Sequence, residues 1–234
     1  EYPYVNRLEY DKFLSRRFMQ TGNNVDTEIG YDAETRRLSR IISDAPERQV
    51  QDLTYTYDLV GNVLTADNAA PTPVTNLMGG TSQQRFSYDD LYRLSSASGE
   101  YQFAPNKERR YTLSMSYDPL NNIVQKTQND AIFNNPRKGI EQKDTTYDHL
   151  YEYNAQAHQA TQIGNHTYSY DANGNLTGWD DDNSGKNRTV TWDAEDRAAS
   201  VADQGSTTTY TYNDEDQLAI ERGPQGCLLY TSDA

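Results

Sequence analysis

The sequence predicts an all-β fold, antiparallel β-hairpin repeats forming one long curved sheet. Three observations predict it. A dipeptide, an aromatic residue followed by Asp or Asn, recurs along the chain. Residues of alternating character precede each copy, and turn-forming residues follow it.

The dipeptide stands at Tyr10-Asp11, Tyr31-Asp32, Tyr57-Asp58, Tyr88-Asp89, Tyr117-Asp118, Tyr170-Asp171, Trp192-Asp193 and Tyr212-Asn213. Successive copies lie 20 to 31 residues apart, except for one gap of 53. That gap offers Tyr147-Asp148 or Tyr153-Asn154 as a further copy. Before the dipeptide, apolar and hydroxyl residues alternate. Tyr111, Leu113, Met115 and Tyr117 fall on one face of a strand, and Thr112, Ser114 and Ser116 on the other. Thr54–Tyr57, Thr167–Tyr170, Thr189–Trp192 and Thr209–Tyr212 repeat this pattern with residue types that favour strands. After the dipeptide, runs such as Asp58-Leu-Val-Gly-Asn62 and Asp171-Ala-Asn-Gly-Asn175 predict a turn, because Asp bonds the backbone ahead of it and Gly accepts positive φ. A short outgoing strand then begins. Its apolar marker is Leu38, Leu64, Leu94, Val124, Leu176, Ala198 or Leu218. Each unit is thus a hairpin with its aromatic residue at the end of the incoming strand. Arg7–Gln20 and Asp32–Ile42 could be misread as helices, but each goes with a Tyr-Asp step, Tyr10-Asp11 and Tyr31-Asp32.

Composition sets the bounds. The 234 residues are long enough to bury a core. Leu, Ile, Val and Phe number only 38, against 19 Tyr and 2 Trp, so the apolar material is largely aromatic. The net charge of -14 excludes a phosphate-neutralising surface and hence a nucleic-acid partner. The Arg36-Arg37 and Arg109-Arg110 pairs read as solvated strand or turn positions. No apolar run is long enough for a membrane span, and a single Cys makes neither an internal disulfide nor a Cys-based zinc site. No initiator Met or signal peptide stands at Glu1, so no targeting information can be read.

Tyr55-Thr-Tyr-Asp-Leu-Val-Gly-Asn-Val-Leu64 and Tyr168-Ser-Tyr-Asp-Ala-Asn-Gly-Asn-Leu176 resemble the YD repeat of the rearrangement-hotspot (Rhs) family. Tyr88-Asp-Asp-Leu-Tyr-Arg-Leu-Ser-Ser-Ala-Ser-Gly99, with Asn76-Leu-Met-Gly-Gly80 upstream, is similar to a form found in C components of bacterial toxin complexes. The resemblance runs from about Tyr10 to Gly223, with departures at Asn121 and Arg36, where a turn Gly is expected, and at Trp192, which replaces Tyr. It implies a sheet that spirals into a hollow shell around a C-terminal toxin or effector. The family's closing protease signature, Asp-Pro-x-Gly-x-x-Asp-Gly, does not occur in these residues. The resemblance therefore implies a segment of the shell wall, secreted or on the cell surface. Its implied partners are the enclosed polypeptide and the remainder of the shell. A YD-repeat cell-surface module that binds carbohydrate or a neighbouring cell is the alternative, if the aromatic rows face outward.

Catalytic motifs are not found, and no catalytic, cofactor-binding or metal residue is expected. Asp180-x-Asp182-x-Ser184-Gly185 imitates the start of a calcium loop, but Thr191 stands where its bidentate Glu belongs. Asp171-x-Asn173-x-Asn175 has Leu176 in place of the loop Gly. His149, His158 and His166 show no metal-ligand spacing and read as strand or loop residues. Ala69–Gly80, Asn129–Asp144 and Asp180–Asn187 read as connections rather than domain boundaries, because the repeat resumes after each. The octapeptide Cys227–Ala234 breaks the pattern and resembles the translation of a sequencing-library adapter. The expected organisation is a repeat region over 1–226 and a non-native tail over 227–234.

Overall fold

The computed structural model describes residues 3–74, 79–134, 139–154 and 157–229. All of its regular structure is β, with no helix among the described residues. Among the described residues, twenty antiparallel strands are hydrogen-bonded into one sheet. The chain divides into two compact units, Glu1–Ser116 with Lys126–Tyr147, and Tyr117–Gln125 with Asp148–Ala234.

Unit 1 is a meander in which each strand pairs with the next. It holds β1 (Val5–Tyr10), β2 (Arg16–Thr21), β3 (Asp26–Tyr31), β4 (Leu38–Ala45), β5 (Arg48–Tyr57), β6 (Val63–Asn68), β7 (Ser82–Tyr88), β8 (Leu94–Ala104) and β9 (Lys107–Tyr117). Most of β10 (Ile123–Asn134) and the short β11 (Gly139–Glu141) complete it. Unit 2 takes the start of β10 and continues in the same way. It comprises β12 (Tyr147–Tyr153), β13 (Ala160–Ile163), β14 (His166–Tyr170), β15 (Leu176–Asp181), β16 (Asn187–Trp192), β17 (Ala198–Asp203), β18 (Ser206–Tyr212), β19 (Leu218–Gly223) and β20 (Gly226–Leu229).

Alternation along the incoming strands sorts their faces as the sequence requires. In β9, Tyr111, Leu113, Met115 and Tyr117 are half-buried, while Thr112, Ser114 and Ser116 are exposed. β5, β7, β12, β14, β16 and β18 show the same alternation towards their ends. Outgoing strands supply small residues between the rings. Ala97 faces Phe86 on one side and Leu113 on the other, and is buried. Gly99 faces Tyr111, whose ring would stand 2.5 Å from any Cβ placed there.

The chain is long enough to bury a core, but its described residues bury little. The buried hydrophobic residues are three alanines, Ala70, Ala97 and Ala160, and no large side chain is fully buried among the described residues. The apolar layer is a half-covered aromatic face, so hydrogen bonds and ring contacts between hairpins take a larger share of the stabilisation.

Two readings of connections change. Asn129–Asp144 is not one long loop, because β10 runs on to Asn134 and β11 pairs back onto it. Asp180 and Asp181 are the last residues of β15 rather than part of a loop. Of the Asn76–Gly80 motif, residues 76–78 lie outside the described residues. In the tail, Cys227–Leu229 belong to β20 and pair with β19, and residues 230–234 lie outside the described residues.

Candidate functional site

The feature that recurs, and on which a function can rest, is the joint between hairpins. The joint has three parts: a turn capped by an Asp or Asn side-chain oxygen, a bulge after it, and an aromatic ring anchored on the hairpin before.

At Asp58 the backbone N–H donates to the Asn62 carbonyl (3.0 Å), closing the turn. The Asp58 carboxylate accepts from the backbone N–H groups of Val60, Gly61 and Asn62 at 3.0, 2.7 and 2.8 Å. Asp171 accepts from Asn173 and Asn175, Asp118 from Leu120 and Asn122, and Asp193 from Glu195 and Arg197. Partial burial works to raise the Asp58, Asp118 and Asp171 pKa values, but these hydrogen bonds outweigh it and hold all three below the ordinary carboxylate range. At Asp89 and Asp193 the largest influence is the backbone N–H of Arg93 or Arg197, and both carboxyls are likewise lowered. The fourth turn residue adopts positive φ, as at Gly61 (110°) and Gly174 (92°). Asn121, where Gly was expected, takes the same conformation at 69°, and Arg36, in a turn one residue longer, at 60°.

Beyond each turn one residue of the outgoing strand has no opposite number. Thr56 faces Thr65 and Tyr57 faces Val63, which leaves Leu64 as the extra residue. Ser39, Ser95, Thr177, Ala199 and Ala219 are bulged at the corresponding place. Sequence patterning does not reveal this. It makes Leu64 and Val124 equivalents of Leu38, whereas Val63 and Ile123 hold that position.

The aromatic residue then reaches the preceding hairpin. The Tyr57 hydroxyl donates to the Leu38 carbonyl (2.7 Å), Tyr88 to Val63 (2.9 Å), Tyr170 to Ala160 (2.9 Å) and Tyr212 to Ala198 (3.0 Å). Each acceptor is the residue that faces the previous hairpin's own aromatic. Trp192 keeps the joint with its indole N–H, which donates to the Leu176 carbonyl (2.8 Å). Tyr153 donates to Ile123 (2.9 Å) and faces Ala160, so Tyr153 rather than Tyr147 is the copy within the 53-residue gap. Burial pushes the Tyr57, Tyr153 and Tyr170 phenols up.

Arginines tie neighbouring turns together. The Arg37 guanidinium lies 5.6 Å over the Tyr57 ring and donates to the carbonyls of Asp58 and Leu59. Arg197 lies 4.7 Å over Tyr212 and pairs with Asp193 and Asp216. Arg36 pairs with Asp11, and Arg109 with Asp130, a carboxylate only 3% exposed that also accepts from Thr145. The Arg109 hydrogen bonds hold Asp130 below the usual range. Arg36, Arg37 and Arg109 remain partly solvated turn and strand positions, as the sequence suggests, and act as joints besides. No local pattern marks them as joints, because the Asp11, Asp58 and Asp130 partners lie 21 to 25 residues away.

The metal and base candidates named from the sequence fall into ordinary roles. Asp181, not Asp180 or Asp182, caps its turn, accepting from Asn183 and Ser184. Asp180 sits in the ladder opposite Thr167 and Asn187. Asp171 and Asn175 serve the turn described above, and Asn173 bonds Asp196 across to the next turn. The three histidines do not meet. His149 packs over Gly164, His158 bonds the Asn122 side chain (2.7 Å), and the His166 ring meets Trp179 edge-on at 4.9 Å. Among the described residues no three His, Cys, Asp or Glu side chains gather as a metal site, and no helix is long and apolar enough to cross a membrane.

No family model matches the chain. It is homologous to toxin subunit YenC1 of Yersinia entomophaga, with 32% identity over 153 residues, covering 56% of this chain and 16% of that protein. Toxin subunit YenC2 of the same organism is 36% identical over 102 residues, 41% of this chain and 10% of that one. The fold matches a chain in the crystal structure of TcdB2-TccC3-Cdc42 with a TM-score of 0.60 at 18% identity, covering 98% of this chain and 13% of the other. A Photorhabdus luminescens Tc holotoxin pore with mutated TccC3 matches equally, at 20% identity, covering 95% of this chain and 12% of that one. The chain thus spans about a sixth or less of these relatives.

Proposed function

We propose that this chain is a structural wall segment of an Rhs-type β-shell that encloses a C-terminal toxin or effector polypeptide, secreted or on the bacterial surface. The supporting observation is the joint itself. Rings that would form a binding platform are engaged by their own hydroxyls with the backbone of the hairpin before. Such a row holds hairpins in register and carries no reactive group, which suits containment rather than catalysis. A hydrogen-bonded sheet also leaves few unpaired backbone groups along its length for stray strands to seize. Homology to the Yersinia toxin subunits agrees with this reading. The partners are then the enclosed polypeptide and the rest of the shell.

Proteinase K treatment of the full-length polypeptide that carries this segment tests the reading. The C-terminal polypeptide should resist digestion in the native protein and become sensitive when Tyr57→Ala and Tyr170→Ala open two joints. Equal digestion of both proteins ends the containment reading. Glycan binding that the same substitutions abolish points instead to the carbohydrate module.

A further inference from the structure

The side chains that link one turn to the next differ in chemical durability. Arg36 pairs with Asp11 and Arg197 with Asp216, through guanidinium groups that water leaves intact. The Asp171 turn is tied to the Asp193 turn by amides instead. Asn173 Nδ2 and Asn175 Nδ2 donate to the same Asp196 oxygen, at 2.9 and 2.7 Å. Of these two, Asn173 precedes a glycine, and Asn173-Gly174 is the single Asn-Gly step in the chain.

An Asn side chain is open to attack by the backbone nitrogen of the next residue, and a side chain on that residue obstructs the approach. Gly174 has none, and the turn keeps it so. Its φ is 92°, and a Cβ there would stand 2.9 Å from Gln159 Nε2. Asn62, Asn122 and Asn175 are followed by the bulky Val63, Ile123 and Leu176, and each amide is bonded to the Asp of its own turn. Asn173 is exposed, and its amide reaches across to the neighbouring turn. The Gly174 N–H meets the Asp171 carbonyl at 3.2 Å, against 2.9 Å for the same bond at Tyr92, so the attacking nitrogen is the more loosely held.

We propose that Asn173 is a self-modifying site: it deamidates through a cyclic imide, and the carboxylate it leaves unfastens the Asp171 turn from the Asp193 turn. The Gly174 nitrogen gives its proton to solvent hydroxide and bonds Asn173 Cγ. The Cγ–Nδ2 bond breaks, and Nδ2 takes a proton from water and departs as ammonia. A second water then opens the five-membered imide. Scission between the ring nitrogen and the main-chain carbonyl carbon yields isoaspartate, and scission between the ring nitrogen and Cγ yields Asp. Nothing is oxidised or reduced; water enters and ammonia leaves. Either product loses the N–H that Asp196 accepts and sets a negative charge against that carboxylate. Isoaspartate also adds a carbon to the backbone of a closed turn. The Asn175 bond to Asp196 is then the amide link that remains between these two turns. The inference goes beyond the wall reading and does not depend on it.

Peptide mapping by tandem mass spectrometry tests it, on the native full-length polypeptide that carries this segment, held for days at physiological temperature and at neutral and mildly alkaline pH. The mass gain of an amide-to-acid exchange should appear at Asn173 several-fold faster than at Asn175 or Asn183 of the same tryptic peptide. It should quicken with pH, and isoaspartate should accompany Asp. Asn173→Asp reproduces one product at once. It should lower the thermal midpoint at neutral pH, less so in high salt, and Asn173→Asp/Asp196→Asn should restore it, because donor and acceptor are then exchanged. An Asn173 that survives as well as Asn175 overturns the inference. A midpoint that Asn173→Asp leaves unchanged overturns the unfastening. Both results leave the proteinase test of the wall reading standing on its own.

Discussion

At the residue scale, the Tyr of the dipeptide acts through two parts that can be separated. Its ring fills the half-buried face, and its hydroxyl caps a carbonyl of the neighbouring hairpin. Tyr57→Phe removes only the hydroxyl and should cost about 1 kcal/mol. Tyr57→Ala also removes the ring; because the ring is half-buried, the loss should be about half of the ~3–5 kcal/mol seen for buried aromatics. Thr56→Ala, on the exposed face, gives up a hydroxyl contact with Thr65 and should stay within about 0.5 kcal/mol. Urea denaturation of the three variants checks this, and equal losses at Tyr57 and Thr56 would show the faces wrongly assigned. Arg109→Ala leaves the covered carboxylate of Asp130 without its partner. Solvent reaches Arg109, so the expected loss is about 2 kcal/mol rather than the 3–5 of a fully buried pair. Replacing both Arg109 and Asp130 with apolar residues should recover part of it. The sequence showed the Tyr and its alternation plainly. It did not show Arg109 and Asp130, because an ion pair across strands leaves no periodic trace.

At the element scale, the turns make acid sensitivity a property of the hairpins that an Asp caps, whereas the Asn213 turn has no carboxylate to titrate. Asp58, Asp89, Asp118, Asp171 and Asp193 all have carboxyls lowered by the amides they accept from. Folding therefore favours their ionised forms. That stabilisation is complete above the unfolded value of about 3.9 and is lost as pH falls through the lower folded values. The thermal midpoint should stay level from neutral pH to about pH 5 and drop steeply below about pH 4. In an Asp58→Asn/Asp171→Asn variant the drop should be shallower, since two titrating turns are gone. An unchanged acid profile would remove the carboxylates as its cause. Turns were the most legible elements, because Asp and Gly announce their own chemistry. Bulges were not legible, because any residue can be the unpaired one, and the sites range from Leu64 to Ser39, Thr177 and Ala219. The hidden copy at Tyr153 was ambiguous for a related reason. Tyr147 and Tyr153 lie on the same strand face, and only the hydroxyl's reach to Ile123 separates them.

At the scale of the whole molecule, among the described residues β1 pairs with β2 alone and β20 with β19 alone. Val5, Leu8 and Tyr10 of β1 and Leu228 and Leu229 of β20 are exposed. Free edges and apolar side chains favour association, and the charge of -14 opposes it. Salt screens that repulsion over about 10 Å at 0.1 M. Light scattering should therefore show association rising with salt. Leu8→Pro should reduce the part that depends on β1. A monomer with cooperative unfolding at both low and high salt would mark the segment as self-sufficient. The all-β class was legible at this scale from repetition alone. The thinness of the core was not, since composition counts apolar residues without saying how many layers will cover them.

The ring joints also have a direction. Tyr31 bonds Arg16, Tyr57 bonds Leu38, Tyr88 bonds Val63, Tyr153 bonds Ile123 and Tyr212 bonds Ala198. In each case the acceptor precedes the donor in the chain. As the polypeptide leaves the ribosome, every new aromatic emerges to find its docking carbonyl already made. The sheet can thus lengthen vectorially, one hairpin at a time, with no ring joint among those named waiting for sequence still to come. Loss of a joint should accordingly loosen what lies C-terminal to it more than what lies before.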